Sequence, residues 1–117
     1  MKISKIAEIL EAEVLCCDGH TENEVMSACA SDMMSDVLAF VKDHAVLITG
    51  LCNPQVIRTA EMMDIVCVVY VRGKKPDAMS IELAESKNIV LMTSKYRMYQ
   101  ACGLLFSQGM HGGDCLI

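Results

Sequence analysis

Two short runs constrain this chain more than anything else in it. Ile65 to Val71 reads IVCVVYV, and Ile89 to Thr93 reads IVLMT. Neither alternates apolar with polar residues, and both are mostly β-branched or aliphatic, the pattern of strands covered on both faces. Between them lies Asp77 to Lys87, with Met79, Ile81, Leu83 and Ala84 as apolar residues, long enough for a crossover helix. Doubly covered strands joined through a helix imply a parallel sheet sandwiched by helices.

The rest of the chain extends this unit. Ala45 to Thr49 reads as a strand. Asn53 is a good N-cap and Pro54 a good first helical residue, so a helix is expected over Pro54 to Asp64. Upstream, Val25 to Ala30 reads as a strand. Ser31 or Asp32 then caps a helix, DMMSDVLAFVK, with Met33, Val37, Phe40 and Val41 as its apolar face. Ser4 to Glu11 reads as a short helix and Glu13 to Cys17 as a strand. Tyr96 to Gln108 is the last helix, ended by Gly109, and the tail MHGGDCLI is expected to be loose at its glycine pair. The expected fold class is α/β, a three-layer αβα sandwich with a mainly parallel sheet. A length of 117 residues suits one domain, with a core over about residues 13–108 and a tail over 109–117.

Composition narrows the function. Hydrophobic residues make up 53% and aromatics 4%, with no Trp, so the core must be aliphatic, Met and Cys. The net charge of −5 argues against a general nucleic-acid binder. No apolar run approaches the roughly 18 residues of a membrane span, and the start MKISKIAEILEAE does not read as a signal peptide, so a cytoplasmic protein is expected. The seven cysteines are odd in number and sit mostly in apolar segments, which fits a reducing compartment. They show no C-x₂-C or C-x₄-C spacing of an iron–sulfur protein. Cys16 and Cys17 are adjacent, and in a strand they would point to opposite faces. No metal site and no cofactor are assigned; the tail His111-Gly112-Gly113-Asp114-Cys115 has residues that could bind a metal across subunits, a pattern that tails often carry by accident.

In a parallel sheet, ligands lie beyond the C-terminal strand ends. This sequence places Ser31 and Asp32 there after the second strand, and Thr49, Gly50, Leu51, Cys52 and Asn53 after the third. Arg72, Gly73, Lys74 and Lys75 follow the fourth strand; Thr93, Ser94 and Lys95 follow the fifth. The chain has ten Lys and Arg in all, so four at this edge is a concentration of positive charge in an acidic protein. Helix starts on the same edge add partial positive charge. Taken singly, these residues are explained by turns and caps: Gly50 and Gly73 by φ, Ser31, Asp32 and Asn53 by capping. Taken together, they form a candidate site for a small anion such as a nucleotide or a phosphorylated metabolite. No Walker loop or G-x-S-x-G elbow is present, so catalysis is not expected. Cys52, near a helix start, is the one candidate nucleophile or redox thiol.

The stretch LITGLCNPQVIRTAEMMDIVCVVYVRGKKPD, flanked by ASDMMSDVLAFV and IVLMTSKYRMYQAC, resembles the DRTGG domain family over Glu13 to Phe106. The family's Asp-Arg element falls near Leu51 to Asn53, where this chain has Leu-Cys-Asn. Its Thr-Gly-Gly element falls at Val71 to Gly73, where Gly73 alone is kept, and the following proline matches Pro76. The departure resembles the short, stand-alone subgroup. The resemblance implies a fold like the non-catalytic N-terminal domain of the bacterial carrier-protein serine kinase. It also implies an accessory role, since such domains occur in phosphotransacetylases and between nucleotide-sensing modules of some pyrophosphatases. Stand-alone copies are often encoded beside iron-only hydrogenase components.

The reading is therefore a non-enzymatic regulatory or oligomerising domain that binds a small anionic ligand or a protein partner at the strand-end edge. The Met-rich helices (Met33, Met34, Met62, Met63) point to a homodimer. The alternative is a redox or metal accessory using Cys16, Cys17, Cys52 or Cys115, with a hydrogenase-related partner; a small Cys52-dependent hydrolase is a third reading.

Overall fold

The computed structural model describes residues 1–40 and 44–112, and for Phe40 the backbone alone. Four strands form a parallel ladder: β2 (Ser27–Ala30), β3 (Ala45–Thr49), β4 (Cys67–Tyr70) and β5 (Val90–Thr93). A further strand, β1 (Glu13–Cys16), pairs antiparallel with β5, so the order is β1-β5-β4-β3-β2. Helices α1 (Ile3–Ile9) and α5 (Met98–Ser107) bear on one face of the sheet. Helices α2 (Met34–Phe40), α3 (Gln55–Met62) and α4 (Ala78–Lys87) bear on the other.

The doubly apolar strands explain the layering. Val46, Ile48, Cys67, Val69, Val71, Val90 and Met92 join Ile3, Ile6, Leu10, Ala101 and Leu105 in one core. The alternate residues Ala45, Leu47, Val68, Tyr70 and Leu91 join Val37, Val56, Ile57 and Ala84 in the other. Each fully buried Val, Leu or Ile contributes about 1.5–3 kcal/mol of apolar transfer. A charge at Val69, fully buried in β4, would therefore undo one whole layer.

The expected elements are all present, with shifts at their ends. The helix expected from Ser31 or Asp32 starts at Met34. The Ser31 hydroxyl accepts the Met33 N–H at 2.9 Å in a local turn, and Asp32 serves another strand altogether. The buried face of α2 is built on Met34 and Val37, while Met33 is 59% exposed, one residue out of register with the expectation. Phe40's side chain and Val41, assigned to that face, lie outside what is described. Met79, one of the apolar residues of α4, is exposed. Helix α5 starts two residues later than expected, because Tyr96 is held in the preceding loop, donating its N–H to Ser94 Oγ and accepting that of Arg72. Met110 is buried in the core and the His111 carbonyl accepts the Ala28 N–H at 2.9 Å. The tail thus begins pinned against edge strand β2; Gly113 to Ile117 lie outside the described residues. No described helix is long and apolar enough to cross a membrane.

Candidate functional site

The C-terminal ends of β2, β3, β4 and β5 meet at one edge. Because β1 runs the other way, its first residue arrives there too: Glu13 lies opposite Thr93. The residues assigned to this edge divide into two corners and a pair of local caps.

The first corner lies between β3 and β4. The Asp32 carboxylate reaches across from the β2 side, and one of its oxygens accepts both the Thr49 hydroxyl at 3.1 Å and the Gly50 N–H at 2.6 Å. Thr49 Oγ1 in turn accepts the Leu51 N–H at 3.1 Å, which fixes the start of the loop. Arg72 and Gly73 occupy a tight turn: Lys74 N–H donates to the Val71 carbonyl, and both central residues have positive φ, 59° and 68°. Glycine enters that region freely; arginine does so at a cost of about 1–2 kcal/mol. The turn is held by Arg72 N–H to the Tyr96 carbonyl and Gly73 N–H to the Ser94 carbonyl, each 2.8 Å. It lays the Arg72 guanidinium against Gly50. A Cβ at position 50 would lie 2.5 Å from Arg72 Nη2 and 3.5 Å from the Asp32 oxygen. The Arg72 guanidinium thus occupies the space a side chain at position 50 would take, and a larger residue there would make this flexible side chain swing aside. Among the described residues, neither Arg72 nor Lys74 belongs to an ion pair.

Cys52 closes this corner, its thiol donating to the Gly50 carbonyl at 3.6 Å. Burial pushes its pKa up, and the nearby Lys74 and Arg72 offset that only in part. Cys52 is therefore a neutral thiol at neutral pH, and the nucleophile reading loses its physical basis. Burial likewise raises Cys16, Cys29 and Cys102, and raises Cys17 to about 12. Cys16 and Cys17 do not point to opposite faces. Cys17 leaves the strand in a left-handed conformation, φ 61°, and both thiols donate toward the α4–β5 segment, to the Ile89 and Ala84 carbonyls. Among the described residues no three His, Cys, Asp or Glu side chains are grouped to hold a metal, and Cys115 lies outside them.

The second corner lies beyond β5. Thr93 Oγ1 donates to the Lys74 carbonyl at 2.6 Å. The buried Ser94 hydroxyl donates to the Leu10 carbonyl at 2.8 Å. Lys75 pairs with Glu13 at 3.4 Å, and Tyr96 donates to Glu11 at 2.5 Å. Gly73, Lys75, Thr93, Ser94 and Lys95 line a shallow recess of about 160 Å³ with Glu11 and Glu13. Those two carboxylates were not among the expected site residues; they reach the edge through the antiparallel course of β1. Ser31 and Asn53 take part in neither corner. Asn53 Oδ1 accepts the Gln55 N–H at 3.0 Å and, like Ser31, organises the turn before its helix.

Tyr70 was also missed. It ends β4, is fully buried, and its hydroxyl has no hydrogen-bond partner among the described residues. Burial holds that hydroxyl well above the usual phenol range, with smaller contributions from Cys52, Cys16 and Asp77. The one sequence signal was a lone aromatic in an otherwise aliphatic strand, IVCVVYV.

A domain arrangement of this kind is known. The structure is similar to the CBS and DRTGG domains of the regulatory region of Clostridium perfringens pyrophosphatase, solved with its activator diadenosine tetraphosphate, at a TM-score of 0.71 and 16% identity. The likeness covers 98% of this chain and 52% of the other, so the chain spans about half the length of that regulatory region. At that identity the likeness is one of fold. No curated protein matches the sequence. The DRTGG domain model, however, matches residues 5–107, taking in every element from α1 to α5 but the first two residues of α1, and the chain belongs to the DRTGG domain family.

Proposed function

We propose that this chain is a non-catalytic regulatory domain that binds a small anionic ligand, a nucleotide or a phosphorylated metabolite, at the corner between β3 and β4. The observation that carries this reading is Arg72. It stands in a backbone conformation unfavourable to arginine, with its guanidinium laid over Gly50 and outside any ion pair among the described residues. Glu11, Cys17, His44, Asp64 and Asn88 also have positive φ, so what supports the reading is that at Arg72 this conformation brings a cation without an ion pair to a strand-end loop. Lys74 adds a second exposed cation beside the Cys52 loop. The fold neighbour was solved with an anionic nucleotide activator, which is consistent with such a role. The redox or metal accessory reading gains nothing from neutral, scattered thiols. Of the four methionines expected at a dimer face, Met34 is buried in the core and Met63 half-buried; the exposed Met33 and Met62, with Met79, support a homodimer through the α2–α4 layer; a monomer in light scattering at micromolar concentration removes this part.

The test is a thermal-shift screen of nucleotides and phosphorylated metabolites on the wild type and on Arg72→Ala. Binding to the native state raises the melting temperature by mass action. A rise in the wild type that Arg72→Ala abolishes is the expected result. No rise with any compound turns the domain into a protein-contact module instead.

A further inference from the structure

Helix α5 differs from the other helices in charge. Each of the other four described α-helices carries at least one exposed charged residue; MYQACGLLFS, Met98–Ser107, carries none. Ala101 and Leu105 bury its inner side in the core. Tyr99, Gly103 and Phe106 follow at the i, i+4, i+7 spacing of a single stripe on its outer side. Tyr99 is 91% exposed and Phe106 62% exposed. Contact surfaces between proteins have this composition, aromatic and poor in charge.

Gly103 points the same way. It is the sole glycine inside a described α-helix, and glycine weakens a helix more than any residue but proline. Nothing within the chain requires it. Its φ is not positive, and a Cβ there would meet no packed neighbour within 4 Å. A glycine at the centre of an exposed helix face is accounted for by a second surface lying close against it.

Beside the stripe lies its complement. A recess of about 140 Å³ opens between α5 and edge strand β2, with Ala28, Cys102, Leu105, Phe106 and Met110 in its walls. Phe106 is braced edge-on by His111, their ring centroids 4.8 Å apart. The projecting Tyr99 ring and the Phe106 wall lie on either side of Gly103, about two helical turns apart. A knob and a hole placed on either side of a gap are self-complementary under a two-fold axis.

We propose that α5 is a contact between two copies of this chain, packed antiparallel across Gly103, with Tyr99 of each copy seated in the recess beside Phe106 of the other. Antiparallel pairing about Gly103 brings Tyr99 over Phe106 and Ser107 of the other copy. It also sets Arg97, the charge nearest the stripe, against Gly109, so no like charges oppose. A lipid surface is the poorer occupant, since a helix that lies on one carries Lys or Arg along its polar side, and α5 has neither. The contact lies on the opposite side of the sheet from the α2–α4 methionines. It is therefore independent of the dimer face proposed above and of the Arg72 corner. One helix face per copy is a small contact, so an association in the micromolar range is expected.

The test is sedimentation equilibrium of the full chain, from micromolar to near-millimolar concentration, on the wild type, Tyr99→Lys, Gly103→Gln and Met62→Lys. The wild type is expected to self-associate. Tyr99→Lys is expected to weaken the association about tenfold or more and to leave the circular dichroism spectrum unchanged, because the ring it removes is almost fully exposed. Gly103→Gln is expected to weaken it too, while raising the melting temperature of dilute protein by about 4 °C, since glutamine is the better helix former and meets nothing in the monomer. In Met62→Lys the α5 contact is expected to persist as a dimer. Tyr99→Lys and Gly103→Gln variants that associate as tightly as the wild type overturn the α5 contact; if Met62→Lys alone loses association, the methionine face is left standing. A wild type that stays monomeric at every concentration overturns both faces and gives α5 to a different partner. A Gly103→Gln variant that melts below the wild type at dilution assigns the glycine a role inside the monomer and also overturns the inference.

Discussion

At the corner beyond β5, the polar side chains other than Lys95 have partners among the described residues; at the corner between β3 and β4, the cations Arg72 and Lys74 do not. Thr93, Ser94, Tyr96 and Lys75 each close on a carbonyl or a carboxylate. Arg72 and Lys74 stand without ion pairs among the described residues, and the buried Tyr70 hydroxyl stands there without a hydrogen-bond partner. Both corners have the same composition of hydroxyls, glycines and cations at strand ends. What separates them is satisfaction. A corner whose donors are spent internally holds the fold together, and one whose donors are left open is the corner where the proposed ligand is sought. Asp32 is the exception at the open corner: one of its oxygens is engaged by the Thr49 hydroxyl and the Gly50 N–H, and so fixes the loop against which the Arg72 guanidinium lies.

The largest effect is therefore expected from Asp32→Ala. It leaves the buried Thr49 hydroxyl and Gly50 N–H without their acceptor, at a cost of about 2 kcal/mol. The urea midpoint should fall accordingly and any ligand-induced rise in melting temperature should vanish; a midpoint equal to that of the wild type would mean that water replaces the carboxylate without loss. Ser94→Ala is expected to cost about 1 kcal/mol, since it strips the buried Leu10 carbonyl of its donor, but to leave the response to ligand intact. If that variant lost its response, the division into two corners would be wrong. Lys75→Ala should do least. Both members of its pair with Glu13 are about 60% exposed, and such pairs contribute about 0.5 kcal/mol or less. A strong loss of ligand response in this variant would bring Lys75 into the site.

How far this was legible in the sequence depended on whether a residue's partner is near it in the chain. The apolar runs around Cys67–Tyr70 and Val90–Thr93 fixed the layers, because covering both faces of a strand leaves no other pattern. Asn53 as a residue that organises a helix start was readable because its partner, Gln55, is two residues away, although the cap itself is Pro54, one residue later than expected. Asp32 was not, because the same carboxylate serves equally as a cap or as an acceptor for another strand, and the choice is made by packing. Gly50 looked like a turn glycine until Arg72, far along the chain, filled its side-chain space. The direction of β1 was equally hidden. Four residues carry no orientation signal, and the arrival of Glu11 and Glu13 at the ligand edge follows from that direction alone. Tyr70 read as a good strand former, and its lack of a partner is a property of the finished core.

The antiparallel strand has one more consequence, for the order in which the chain assembles. β1 is made first among the strands, yet its sole ladder partner is β5, made last. During synthesis β2, β3 and β4 meet their neighbours in turn, while Glu13 to Cys16 must wait for Val90 to Thr93. The wait leaves Ile3, Ile6 and Leu10 without the Ala101 and Leu105 surface they finally cover. Long-range pairing of this kind is slow and exposes apolar segments meanwhile. The last step of folding is then the closing of both ends of the chain on each other, so a lesion in α1 or in α5 is felt by the same late event.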